Sequence, residues 1–450
     1  MKIKLVNVLL MMIAAVTART TFAQRATPAD SRNAHSSLAK YFDPKNGMNV
    51  NEAVAYALAH NGELLAVRKE IESARAMIRQ AALRANPALE VSGTKQVNGM
   101  DYSTMASLTL PLELGGRRAT RVSVAEHELE LRETARADRE RLLAAEVQAK
   151  FGETLAEILR LGFAEDLLTT SQRGFRLVQA RVNEGRTAPL EQNMVLVEVN
   201  RLRSMRELNE AKVEVALLDL RNTMGLEPEE PLRLRGDFDK LIDPLVSLSA
   251  ATERALRERP DLQLMRATER LALAKIAQAR SDGRPDASLT AGYQRMSSGF
   301  PVSGFNAAGQ LQPVQDTFHY LTFGVSVNLP VRNKNQGTIE ASIADSEAAK
   351  RRREFAELTV RREVATAYAR YERAARAMEI YRVGVVEQAN SNLEVVRQTY
   401  ELGSKTLLDY ISEQRRYIEL ENGYIDTLLE TYTARVDIAR TSAAPELIEK

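Results

Sequence analysis

Asn61-Gly62-Glu63-Leu64 returns as Arg259-Pro260-Asp261-Leu262, and Asn86-Pro87 returns as Arg284-Pro285, each 198 residues further on. Leu110-Pro111 then parallels Leu329-Pro330 at a separation of 219, and Gly185 parallels Gly403 at 218. Nearly constant offsets mean one structural unit written twice. The step from 198 to 219 places an insertion of about 21 residues at Ser297 to Thr317, a stretch rich in Gly, Ser, Asn, Gln and Pro. Working outward gives repeat 1 at 48–236, a linker at 237–247 containing Pro244, repeat 2 at 248–440 and a C-terminal tail at 441–450.

Each repeat reads helix, strand, strand, long helix, helix. In the first, a helix over about Val50–Arg84 stops before Pro87, because proline biases its predecessor away from α. Strands follow at about Ala88–Gln96 and Tyr102–Leu110, around the hairpin signal Asn98-Gly99. Long helices are expected at about Arg117–Asn183 and from there to Met224, broken at Gly185. The second repeat gives a helix at about Ser249–Ser281, strands at about Asp286–Arg295 and Phe318–Leu329, and helices at about Thr338–Leu402 and Thr406–Arg440. Gly299, Gly304 and Gly309 lack a phosphate-binding pattern and read as an outer loop.

The N-terminus starts Met1-Lys2-Ile3-Lys4 and runs apolar from Leu5 to Val16, with Thr21-Phe22-Ala23 before Gln24. That pattern is a secretory signal peptide over 1–23, followed by an N-terminal extension at 24–47. Removing Lys2, Lys4 and Arg19 moves the formal charge from +2 to −1. A near-neutral mature chain argues against a nucleic-acid partner. Zero cysteines suit an oxidising compartment and remove thiolate metal sites and cysteine nucleophiles. Beyond the signal no apolar run of about 18 residues offers a spanning helix, so only a β-barrel would cross a bilayer.

Leu321, Phe323, Val325, Val327 and Leu329 share one strand face; Tyr320, Thr322, Gly324, Ser326 and Asn328 share the other. Ala287, Leu289, Ala291 and Tyr293 oppose Ser288, Thr290, Gly292 and Gln294, and Thr104, Ala106, Leu108 and Leu110 oppose Met105, Ser107 and Thr109. Ten-residue alternation of this kind is the pattern of a transmembrane barrel strand, although a half-buried soluble strand alternates too. Four strands cannot close a barrel, and lipid does not tolerate open edges, so several protomers must pool them. The strand count does not choose between two copies and three.

Thr338 to Leu402 is 65 residues, a rod of roughly 95 Å against a hydrocarbon core of about 30 Å. Arg351, Arg352, Arg353, Arg361 and Arg362 place it in water. Val364, Tyr368, Tyr371, Ala375 and Met378, then Val385, Ala389, Leu393, Val396 and Tyr400, form the seam of helices packed side by side.

The doubled layout, the Pro87 and Pro285 boundaries and the two helix-tip turns resemble the outer-membrane efflux proteins typified by TolC, over about Val50 to Arg440. Leu112-Glu113-Leu114-Gly115-Gly116-Arg117-Arg118 is similar to the ELGGKR stretch of the CzcC-like branch. Arg332-Asn333-Lys334-Asn335-Gln336-Gly337 is similar to that branch's FDRNQG, with Lys334 as a departure. The resemblance implies a mainly α protein with a small β part: a homotrimer with a shared twelve-stranded barrel in the outer-membrane lipid and a long periplasmic α-helical barrel. It implies a passive exit duct of a tripartite system, partnered by a periplasmic membrane-fusion adaptor and an inner-membrane resistance-nodulation-division pump, with cobalt, zinc or cadmium-type cations as cargo. A duct for organic compounds, or a coiled-coil adaptor without a channel, are the alternatives.

By the same resemblance the helix tips farthest from the barrel, turning at Gly185 and Gly403, close the periplasmic end and dock the adaptor. Glu191 matches the acid of the first tip; Tyr400, Lys405 and Asp409 match the Tyr, basic and first acidic gate positions of the second, and Ser412 replaces the second acid. No catalytic constellation, cofactor site or metal site is visible: His35, His60, His127 and His319 lack ligand spacing, and the many acids on helix faces read as solvated charge.

Overall fold

The computed structural model describes residues 38–238 and 247–443; the signal peptide, residues 24–37 with His35, most of the linker and the last residues of the tail lie outside them. Elements are numbered in chain order. A short turn α1 (Leu38–Tyr41) precedes α2 (Val50–His60), α3 (Gly62–Ala82), β1 (Ala88–Lys95), β2 (Tyr102–Pro111), α4 (Arg117–Asn183) and α5 (Pro189–Met224). The order then recurs as α6 (Leu248–Glu258), α7 (Pro260–Asp282), β3 (Asp286–Phe305), β4 (Leu311–Asn328), α8 (Gln336–Glu379), a π segment (Ile380–Val386), α9 (Glu387–Glu401) and α10 (Leu407–Ser442).

Two helices expected as continuous are each broken once. Asn61 (ψ 122°) and Arg259 (ψ 124°) are extended where an unbroken helix would pass. Arg259 precedes Pro260, which disfavours α there and serves α7 as a first-turn proline. Asn61 reaches the same geometry by capping: its side chain accepts from the Leu64 N–H at 3.1 Å. The breaks let α2 and α6 turn out of line with α3 and α7.

The four strands form one antiparallel sheet in the order β1-β2-β3-β4. Leu89, Leu108, Ala291 and Phe323 stand in one cross-strand row, and Val91, Ala106, Tyr293 and Leu321 in the next. The expected outer loop is a correction: β3 and β4 run on through Gly299 and Gly304 as a ribbon, with one register shift between Gly299 and Ser303, and turn only around Gly309. Glycine and serine are poor strand formers singly, but each strand here is paired with the other and needs no core face.

α4 packs against α3, α5, α7 and α10, and α8 against α7 and α10. Near the sheet the helices therefore lie side by side as α3-α4-α7-α8; toward the far tips they lie as α5-α4-α10-α9. α4 spans 67 residues, about 100 Å, and links both layers. The main core sits between them, where Phe151, Leu155, Leu217, Leu220, Met224, Leu234 and Tyr432 are buried together. Gly152 permits it: a Cβ there would lie 2.3 Å from the Tyr432 ring.

Candidate functional site: the lipid-facing sheet and the helix tips

The sheet buries almost none of its apolar face. Leu89, Leu108, Leu289, Tyr293, Leu321, Phe323, Val325 and Leu329 are all exposed, Phe323 at 79%. From Leu321 to Leu329 the apolar positions cover about 26 Å along the strand, close to the ~25 Å band of a membrane barrel. The opposite face carries hydroxyls and amides that bond one another: Thr94 to Ser103 at 2.9 Å, Thr109 to Thr290 at 3.3 Å, and Gln294 to Ser103 at 3.3 Å. Such a sheet has one face for lipid and one for water. Among the described residues no helix is long and apolar enough to cross a membrane.

At the far end the two tips share one geometry. Gly185 (φ 71°) and Gly403 (φ 80°) occupy the left-handed region. Their N–H groups donate to Val182 and Tyr400, while the next residues, Arg186 and Ser404, reach back to Arg181 and Thr399. This is the Schellman stop, which glycine fits without strain.

The structure brings two of the four expected gate residues together. The Tyr400 hydroxyl donates to Glu191 at 3.4 Å, joining the two tips. Burial, and then the neighbouring Glu191 charge, raise the Tyr400 pKa above its ordinary value. Asp409 is used differently: its carboxylate accepts from the Thr406 N–H at 3.0 Å and hydroxyl at 2.8 Å, closing a capping box at the start of α10. Those bonds, from the Thr406 backbone first, hold its pKa below the usual value. Lys405 forms no ion pair with it or with Glu191 in a single chain.

Sequence reading missed what stands behind the tips. Tyr400 stacks on Tyr410 at 6.0 Å and 8°; they lie three residues before and seven after Gly403, an unequal spacing that does not mark them as a pair in the sequence. They border a cleft of about 350 Å³ that Glu198, Arg397 and Gln414 also line. Gln414 bonds Ser171 at 2.9 Å, and Glu198 holds Arg201 and Arg415.

The three described histidines each contact a neighbouring side chain. His60 stacks on Tyr56, His127 meets Glu130 at 3.1 Å and His319 meets the Tyr293 hydroxyl at 2.6 Å. No group of metal-ligating side chains occurs among the described residues. The stretches that suggested a branch are junction builders: Glu113 (φ 48°) pairs with Arg121 at 2.7 Å, and Asn335 (φ 60°) donates to the Ala279 carbonyl at 2.8 Å.

The model of the outer membrane efflux protein family matches residues 53–226 and again 251–444. The chain is 22% identical over 397 residues to the cobalt-zinc-cadmium resistance protein CzcC of Cupriavidus metallidurans, covering 87% of this chain and 89% of that one. It is 27% identical over 399 residues to the pyoverdine export outer membrane protein OpmQ of Pseudomonas aeruginosa, covering 86% and 79%. Its fold matches that of CusC with a TM-score of 0.71 at 18% identity, over 94% of this chain and 98% of the other. With a lipid-facing sheet, long water-facing helices and a family match over most of its length, this chain belongs to the outer membrane efflux protein family, as a passive channel of the outer membrane and not an enzyme.

Proposed function

We propose that three copies form the exit duct of a tripartite efflux system, receiving cargo from a periplasmic adaptor and an inner-membrane pump of the resistance-nodulation-division class. One observation carries this reading: the same two sides are open at every level. β1 and β4 are sheet edges; α3 and α8 end the helix row near the sheet, and α5 and α9 end it near the tips. Exposed apolar side chains line these flanks, including Met77 on α3, Phe355 and Leu358 on α8, Val197 and Leu208 on α5, and Val395 on α9. Unlike sides that are both sticky favour head-to-tail closure into a ring, and three copies supply twelve strands. Native mass of the detergent-extracted protein tests it. Three chains per particle are expected; a stable monomer that keeps its β content would overturn the ring.

For cargo we favour divalent metal cations, on the near full-length similarity to CzcC and the Leu112–Arg118 and Arg332–Gly337 stretches. OpmQ, named for export of an organic compound, supports the second reading. Deleting the chain from its host separates them: lost tolerance to cobalt, zinc or cadmium supports metal, and unchanged metal tolerance with lost tolerance to organic compounds supports the alternative.

A further inference from the structure

The two ends of the sheet differ in charge. At the helix end, residues 79–84, 112–121, 280–286 and 329–335 hold nine Lys and Arg against three Asp and Glu. At the other end, residues 95–101 and 295–317 hold two cations, Lys95 and Arg295, against two Asp. The acids at the helix end are already engaged in part: Glu113 by Arg121, and Asp286 by Arg117 at 3.6 Å. Arg84, Arg332 and Lys334 are exposed, and their side chains make no hydrogen bond or ion pair to other described residues. Arg84 directly follows Leu83, exposed at 58%, and Arg332 directly follows Val331 at 76%, with Leu329 at 64% just before it; Lys334 lies two residues further on. Arg332 also lines, with Arg117, Arg284 and Asn333, a polar cleft of about 590 Å³.

We propose that this cationic collar binds the phosphate headgroups of anionic glycerophospholipids in the leaflet on the helix side of the apolar band. The inference rests on the reading of the sheet as a membrane barrel. An unpaired guanidinium beside exposed leucine lets the acyl chains meet Leu329 and Val331 while the headgroup phosphate takes paired N–H bonds from the arginine. Free phosphate shares the headgroup chemistry but gains nothing from the apolar positions. The ribbon end has only Lys95 and Arg295 at its border and two Asp beyond them, so the preference is expected to be stronger in the leaflet on the helix side.

The test uses the mature full-length protein, reconstituted in nanodiscs of phosphatidylcholine doped with phosphatidylglycerol, with bound lipid counted by native mass spectrometry. Phosphatidylglycerol is expected to be retained over phosphatidylcholine. Each cation removed in Arg84→Gln, Arg332→Gln and Lys334→Gln should weaken that preference about five-fold. Arg361→Gln with Arg362→Gln, exposed cations on α8 away from the collar, should leave it unchanged. Equal retention of the two lipids, or a triple variant that behaves like the parent, would overturn the proposal; so would inorganic phosphate displacing the lipid as well as added phosphatidylglycerol does. Conductance recorded on the same preparations keeps the channel reading separate: a conducting protein without lipid preference sinks only the collar.

Discussion

Glu198 on α5 and Arg415 on α10 meet at 3.0 Å, tying the first tip hairpin to the second. The Glu198 side chain is 4% exposed and also holds Arg201 at 2.5 Å. Burial alone would raise its pKa, but Arg201 and then Arg415 hold it below the ordinary 4.5. A lowered carboxyl contributes stability above the unfolded value, and that contribution disappears as pH falls through the folded one. Arg415→Ala, which leaves a buried carboxylate with one partner, is expected to destabilise by about 1–2 kcal/mol, less than a fully buried pair because Arg415 is solvated. Thermal melts should show the deficit at pH 7 and its narrowing below pH 4.5; a deficit independent of pH would count against the pair.

Asp409 separates charge from capping. Asp409→Asn keeps an oxygen to accept from Thr406 and removes only the charge, so it should lower cation selectivity in planar bilayers if a ring of these carboxylates lines the tips. Thr406→Ala removes the cap, costs about 1 kcal/mol locally, and should speed hydrogen exchange at residues 403–410. Unchanged selectivity in Asp409→Asn would leave this residue with the structural role alone.

Loosening the tip contact should open the channel. Tyr400→Phe and Glu191→Gln each abolish or weaken the 3.4 Å bond between the tips, and Lys405→Ala removes the cation available to a neighbouring copy. Raised conductance relative to the parent is expected from each. If all three conduct like the parent, the constriction lies elsewhere.

Phe323 and Thr322 are adjacent and face opposite sides of β4. Phe323→Arg should cost about 2–4 kcal/mol when the sheet sits in lipid and should reduce assembled protein in the outer membrane. Thr322→Arg, on the water face, should assemble normally and shift ion preference toward anions. Similar outcomes for the two variants would contradict the sidedness.

Gly152→Ala would press a methyl group into the Tyr432 ring, whose hydroxyl is anchored to the Gln148 carbonyl at 3.0 Å. Overpacking of this kind costs about 1–3 kcal/mol, readable as a lowered melting temperature with conductance unchanged in the folded fraction.

Much of the architecture was legible because period and punctuation are local. The bounds Arg117 and Asn183, the alternation of Leu321 to Leu329 and the glycine stops at 185 and 403 need no tertiary information. The break at Asn61 was hidden because its neighbours continue the helical pattern and only a side-chain cap distinguishes it. The ribbon at 296–317 was hidden because its strands are stabilised by each other. At the tips, the family-derived residues were legible one at a time, but the pairing of Tyr400 with Glu191 depends on chain 209 positions apart returning to the same place; the capping of Asp409 by Thr406 is local, three residues apart, and is masked by reading Asp409 as a gate acid. The π segment at Ile380–Val386 carries no marker in the sequence beyond Gly384.

Four strands and four helices stand side by side in the same order in one chain, yet they do not occupy the same width. Strands repeat at about 4.8 Å, or a little over 6 Å around a barrel tilted by about 40°, whereas packed helices repeat at 8–10 Å. Each copy therefore subtends a longer arc below the membrane than within it. A closed ring of such copies is a funnel in circumference, and the four short junctions, three clamped by Arg117, Arg118, Arg121 and Arg284 and the fourth by Asn335, are where the change of girth has to be accommodated.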